Sequence, residues 1–429
     1  MKLSWISIIR LGLVQMALGA IVVLMTSTLN RLMVVELTLA ASLPGALVAF
    51  HYAIQITRPN WGFLSDTGGE RTKFIIGGMG VLAVGGVLAA AAIWVLETMF
   101  WAGLGLNIVA YALIGLGVGA SGTSLLALLA TATDPRRRAA AATITWLMMI
   151  FGIAVTATVV GKLLDPYSAQ RLVQIVGVVA IGAVGLTCLS VSGIERNILA
   201  DPQTDRTPFT EALRQIWAED HARNFTIFVF LSMTAYFMQE LILEPYAGLV
   251  FNFTPGQTTS MSGAQNGGAF MGMVTVGLAV SAFKFGTLRN WVVAGCLGSA
   301  GALCIIALMG RVPEDAALLL PAVITLGFFN GMFAVAAIGA MMALAGRGQT
   351  SREGTRMGLW GAAQAMAAGF GGLAGATAVD LLRLGLGHDA TAFEIVFLFE
   401  AVLFLLAAGM ALRIIENSSR QSAALVPGE

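Results

Sequence analysis

Long apolar stretches separated by short polar breaks set the organisation of this chain. A helix crossing hydrocarbon needs roughly 20 mostly apolar residues. By that measure about twelve runs stand out, near 11–29, 40–57, 74–94, 101–130, 139–161, 172–193, 225–250, 261–283, 291–309, 317–345, 357–382 and 392–412. The breaks are short, which makes consecutive helices neighbours. The expected fold class is therefore an all-α polytopic membrane protein with twelve transmembrane helices.

The longest break, Glu195 to Arg223, follows the sixth run and divides the chain into two six-helix halves, 1–194 and 224–429, joined by a linker at 195–223. Within the linker, Thr207-Pro208 reads as an N-cap and first helical position. Phe209, Ala212, Leu213, Ile216 and Trp217 then recur at helical spacing, which predicts an amphipathic helix on the membrane surface. Bases fall mostly on one side. With the N-terminus in the cytoplasm, that side holds Arg58, Arg71, Lys73, Arg136, Arg137, Arg138, Arg196, Arg214, Arg289, Arg347 and Arg413 among others, while the far side keeps Arg31, Lys162, Arg171, Arg311 and Arg383. Positive charge is retained inside, so both termini are expected in the cytoplasm.

Composition sharpens this picture. The chain is 57% hydrophobic and 11% charged, against roughly 45–50% and 25% in soluble domains. Its 51 glycines suit close helix packing, and Gly371 to Gly375 forms a small-xxx-small match. No dense basic face suggests nucleic acid. Cys188, Cys296 and Cys304 lie singly inside apolar runs and read as buried small residues. The first run is long enough to span and lacks a small-residue cleavage site, so it is expected to stay. There is no hydrolase elbow, nucleotide-binding glycine loop or zinc spacing, and nothing argues for an enzyme.

Polar groups at membrane depth are costly and mark candidate sites. His51, Gln55 and Arg58 share one helical face of the second run. Gln239, Glu240 and Glu244 lie in the seventh, with Pro245 expected to break the helix directly afterwards. Gln265 and Asn266 open the eighth run, and Asn330 and Gln364 sit in the tenth and eleventh. These groups can line a cavity between the halves, or each can form an interhelical hydrogen bond. His51 has the same two readings, a metal ligand or a packing histidine.

The stretch Gly62-Phe-Leu-Ser-Asp66, followed by Gly69, Arg71 and Lys73, resembles the loop between helices two and three of the major facilitator superfamily. Thr67 stands where that pattern has a base. The resemblance implies a conformational gate in which Gly62 allows close approach, Asp66 faces the positive end of the eleventh helix, and Arg71 and Lys73 hold the loop in the cytoplasm.

Further phrases narrow the match. Asn30 through Glu36, His51 through Asp66, Gln239-Glu-Leu-Ile-Leu-Glu-Pro-Tyr-Ala-Gly248, and Thr258-Thr259 followed by Gln265-Asn-Gly-Gly268 resemble the PucC-like family of light-harvesting complex assembly proteins, a branch of that superfamily. The resemblance implies a multi-pass protein of the bacterial inner, intracytoplasmic photosynthetic membrane, serving antenna polypeptides or pigment-synthesis enzymes. It also implies bacteriochlorophyll or a related pigment as bound cargo, with His51 or Glu244 a candidate ligand for its magnesium and Gln55 and Glu240 in support. The alternatives are a secondary transporter of a small amphiphile working by alternating access, and a membrane scaffold that binds partner helices without pigment.

Overall fold

The structure, a computed structural model, describes residues 3–58, 61, 71–134, 138–195, 217–281, 283, 285–345 and 353–415. Among them run twelve α-helices: α1 Trp5–Val23, α2 Ser42–Ile54, α3 Arg71–Leu96, α4 Phe100–Ala132, α5 Arg138–Leu164, α6 Ala169–Val191, α7 Asp220–Phe251, α8 Pro255–Ser281, α9 Leu288–Met309, α10 Leu319–Ala345, α11 Glu353–Leu386 and α12 Asp389–Ile414. Their starts follow the sequence. Ser4, Ser168 and Thr287 each accept a hydrogen bond from the amide three residues on, capping α1, α6 and α9. Asn252 ends α7 in the left-handed region (φ 58°), a conformation its short polar side chain tolerates.

Ten helical stretches among the described residues are long and apolar enough to cross a membrane. The other two helices are α2, which has only 13 residues, and α8. On α8, Gln257, Thr258, Thr259, Ser260, Ser262, Gln265 and Asn266 dilute the apolar side chains. Outward-facing positions such as Val178, Ile181 and Leu189 on α6 are exposed, as hydrocarbon requires no polar cover.

Packing pairs repeat with a shift of six helices. In the first set α1 packs on α5 and α6, α3 on α4 and α6, and α2 on α4; in the second, α7 packs on α11 and α12, α9 on α10 and α12, and α8 on α10. One cluster of buried apolar side chains draws on residues 3–194 with Leu241, and another on residues 225–415 with Ile150. The two sets meet along α5–α8 and α2–α11. Within the second set Gly371 and Gly375 let α11 lie against Thr234 and Met238 of α7, where a Cβ would meet backbone or side chain at 2.7 Å. The small-xxx-small spacing therefore marks a helix contact.

Three expectations change. The first helical segment does not end before Asn30-Arg31: it continues past Val23 as a π-helix over Leu24–Leu29 and again over Leu32–Glu36, so Asn30 and Arg31 are buried inside it and do not lie in a surface connector. Nor does Pro245 break α7, which runs on to Phe251. Proline removes the amide that would bond the carbonyl four residues back, here Leu241. Asn30 Nδ2 donates to that Leu241 carbonyl at 2.7 Å, and a freed carbonyl satisfied by a neighbouring helix is what lets a membrane helix keep a proline. Finally, α8 starts at Pro255, which puts Gln265 and Asn266 in mid-helix and not at its opening. The expected amphipathic helix of the linker falls almost wholly outside the described residues.

Candidate functional site

The widened coil of α1 turns a polar run, Thr26-Ser27-Thr28, together with Asn30 and Arg31, into the protein interior, where all five are buried. A π-helical segment shifts side chains out of the α register and is frequent at functional sites. Facing it is α7. Ser27 Oγ donates to Glu244 Oε1, while Glu244 Oε2 has no hydrogen-bond partner. Thr258 and Ser262 of α8 stand beside the same carboxylate. The Thr258 hydroxyl donates to the Pro255 carbonyl at 3.1 Å. Thr28 and Thr259 share a hydrogen bond at 3.2 Å. Arg31, 2% exposed, donates to Glu36 at 2.5 Å and to the Phe253 carbonyl at 2.7 Å. Gly248 gives it room, since a Cβ there would come within 3.3 Å of its Nη2.

One turn before Glu244, Glu240 lies beside Thr26. Glu240 and Tyr52 are each half-buried. Tyr52 joins the two polar stripes. Its ring is 4.8 Å from His51 and 6.1 Å from Phe237, and its hydroxyl lies within charge range of Glu240 and Arg58.

On α2 the expected ladder is present. Arg58 donates to Gln55 Oε1, and Gln55 Nε2 lies 2.6 Å from His51 Nε2. Arg58 has only donors, so the Gln55 oxygen must face it and the Gln55 amide nitrogen must face the histidine. His51 Nε2 is then the acceptor, and in the neutral ring Nδ1 carries the hydrogen. That buried Nδ1 has no partner. In this geometry His51 offers a hydrogen-bond donor and no free lone pair, whereas Glu244 keeps an oxygen free.

Other expected residues separate from this group. Gln239 lies on the face of α7 shared with Tyr246 seven residues on, whose ring sits 5.4 and 5.1 Å from Phe393 and Phe397 of α12. It points toward α12 and away from Glu240. Asn266 Nδ2 donates to the Ser262 carbonyl of its own helix at 3.0 Å, and Gln265 is half-buried with its backbone against Gly327 of α10. Gly62 and Asp66 lie outside the described residues. Arg71 begins α3, its amide donating to Glu195 at 2.8 Å and its guanidinium to the Ala127 carbonyl at 3.2 Å, with Lys73 exposed in the same turn.

Two acids that the sequence reading passed over join the helix sets. Asp165, after α5, accepts from Thr254 Oγ1 at 2.5 Å and Gly256 N at 3.0 Å, capping α8; Asp380 on α11 accepts from Ala41 N at 2.9 Å and Ser42 N at 2.7 Å, capping α2. Each carboxylate meets the positive end of a helix from the other set. Both caps, and Arg31 with Phe253, lie at the end of the bundle that holds the α1–α2, α5–α6 and α7–α8 turns. Glu400 on α12 was also missed. It is fully buried, beside Gln239, with neither oxygen hydrogen-bonded.

Comparison with known proteins places this geometry. Solved structures with the same fold include a mutant of the nucleoside transporter NupG (TM-score 0.70, 14% identical, 96% of this chain and 100% of that one) and a D-xylose-proton symporter (TM-score 0.69, 14% identical, 95% and 97%). Both are major facilitator transporters, and at this identity they speak for the fold alone. In sequence, the chain is 65% identical over 429 residues to the bacteriochlorophyll synthase 44.5 kDa chain of Rhodobacter capsulatus, covering 100% of this chain and 99% of that one. It is 27% identical to Protein PucC of the same organism over 96% and 93% of the two chains. The family described as PUCC protein matches residues 28–419, a range that holds Asn30, Tyr52, Glu240 and Glu244, and the chain belongs to the PucC family.

Proposed function

We propose that this protein binds bacteriochlorophyll in the membrane and delivers it during assembly of light-harvesting complexes, with the buried polar cluster around Glu244, between the first helical segment, α7 and α8, meeting the pigment head. The observation that carries this reading is the buried Glu244, held on one oxygen by Ser27 and free on the other, in a chain so similar to one named for bacteriochlorophyll synthase. A chlorin magnesium accepts one axial oxygen or nitrogen, and a carboxylate oxygen is a suitable hard donor for it. The His51 Nδ1 hydrogen and the Tyr52 hydroxyl suit the carbonyl groups at a macrocycle's rim. We infer that the part played is binding and transfer and not bond making; the transporter fold and the PucC relatives support this.

Pigment retention tests the reading. After mild purification, wild type is expected to carry bacteriochlorophyll by its absorption spectrum. Glu244→Leu, which removes charge and oxygen together, is expected to lose most of it, with Glu244→Gln intermediate. His51→Leu is expected to cost less, since it removes a hydrogen bond and no ligand. Normal pigment content in Glu244→Leu sinks the assignment.

The runner-up is alternating-access transport of a small amphiphile. Exchange of acid caps between the helix sets favours it, and so does the six-helix shift in packing, which suits two halves that rock against each other. Substrate-dependent flux in vesicles without retained pigment is the result that selects it. Either mechanism needs the orientation implied by the bases, with both termini and the 195–223 linker in the cytoplasm. Reporter fusions after Arg206 and after Asp389 should then lie on opposite sides of the membrane; the same side for both overturns it.

A further inference from the structure

Glu400 stands in the middle of α12, ~16 Å from one end of the helix and ~21 Å from the other. It is fully buried, and neither of its carboxyl oxygens has a hydrogen-bond partner. The surroundings are apolar. Phe397, one turn before it, packs on Tyr246 of α7, and Phe404, one turn after it, packs on Phe333 of α10. Beside it on α7 is Gln239, 2% exposed, whose Oε1 is buried and likewise without a partner. The backbone amide of Gln239 belongs to the hydrogen-bond ladder of α7, which is continuous there. Three buried acceptor oxygens on two neighbouring residues therefore lack a donor.

Counter-charge is missing too. Of the helices packed on α12, α7 carries Tyr236, Glu240 and Tyr246, and the Tyr246 hydroxyl already donates to the Ile306 carbonyl at 2.7 Å. On α9 are Cys296 and Cys304, with Arg289 at its start and Arg311 just past its end; on α11, Asp380 and Arg383 lie near the end. Arg311 is bound to Glu394 and Arg383 to Asp389. Among the described residues no base pairs with Glu400. A lone carboxylate at this depth is strongly disfavoured. A hard metal ion asks for about six oxygens, twice what the two side chains leave unpaired. A proton needs no room and no further ligand. As a neutral acid, Glu400 has an O–H to give, and Gln239 Oε1 is the acceptor next to it.

We propose that Glu400 is a proton-binding site, holding a proton in the neutral acid and donating it in a hydrogen bond to Gln239 Oε1, which fastens α12 to the helix that bears Glu240 and Glu244. The site is separate from the Glu244 cluster, and its test needs no pigment.

The test compares wild type with Glu400→Gln and Gln239→Leu in one detergent. In the infrared at pH 8, wild type is expected to show the C=O stretch of a protonated carboxyl that Glu400→Gln lacks, and Gln239→Leu should keep this band but move it toward that of a free acid. An unfolded glutamic acid gives up its proton above about pH 4.3. The folded chain keeps it, so wild type should lose stability relative to Glu400→Gln as pH rises beyond that value, by up to about tenfold in the unfolding constant per pH unit. The other acids are common to both proteins and cancel in the comparison. A wild-type band absent at pH 8 overturns the proposal. So does a Glu400→Gln protein that loses stability against wild type toward alkaline pH or cannot be recovered folded, since its amide is the closest isostere of the neutral acid. An unmoved band in Gln239→Leu overturns the tie to α7. Stabilisation by sodium over potassium, seen in wild type and absent from Glu400→Gln, assigns the site to a metal cation and overturns the proton.

Discussion

Asn30→Leu is expected to destabilise the protein by about 1–3 kcal/mol, the cost of leaving a buried backbone group without a partner. The effect should vanish when Pro245 is replaced by alanine. Asn30 Nδ2 is the donor that reaches the Leu241 carbonyl, which Pro245 leaves without its helical amide. In Pro245→Ala the helix supplies that amide itself, so the asparagine becomes dispensable. Unfolding temperatures of the four proteins of this cycle, measured in one detergent, should show a fall of several degrees for Asn30→Leu alone and little change for the double variant. Equal losses in both backgrounds would mean that Asn30 acts through packing and that the proline is accommodated in some other way.

The second large effect is expected at the exchanged caps. Asp380 gives one oxygen to each of two amides, Ala41 and Ser42, and Asp165 serves Gly256 N and Thr254 Oγ1. Replacement by asparagine removes the charge that faces the helix dipole and one of the two acceptors, about 1–3 kcal/mol per site. The two sites are on separate seams, so their effects should add. With Cys188, Cys296 and Cys304 removed, a cysteine in place of Ala376 reports opening, because that position is fully buried against Gly45 of α2. Its thiol-labelling rate should rise about tenfold in Asp165→Asn or Asp380→Asn and about a hundredfold in the double variant, each 1.4 kcal/mol being a factor of ten. A double variant that labels like wild type would show that these contacts do not hold this end shut.

Much of the architecture can be read from hydropathy alone, because membrane helices must satisfy their own backbone and therefore appear as apolar runs. All twelve runs correspond to helices, and the polar stripes at His51–Arg58 and Glu240–Glu244 lie where periodicity puts them. Three kinds of feature were hidden. Where a helix changes coil, polar residues mimic a connector, so Asn30 and Arg31 read as a boundary. Where a neighbour repairs a defect, local rules mislead, as at Pro245. And where a single acid caps a helix distant in sequence, as Asp165 and Asp380 do, nothing nearby announces the partner. Tyr52 belongs to the last kind: a tyrosine beside a histidine carries no sign that it bridges to α7.

The modest hydropathy of α8 bears on how the chain is built. A helix so rich in hydroxyls and glycine gains little by entering lipid on its own. It becomes favourable when Thr259 has Thr28 to meet and its opening amides have Asp165, so the first six helices need to be standing before the eighth can settle. The reverse debt falls on α2, whose first amides wait for Asp380 on a helix synthesised more than 300 residues later. Until then this short helix has unpaired donors at its start. Biogenesis thus begins in chain order but is finished backward, when the eleventh helix closes the second.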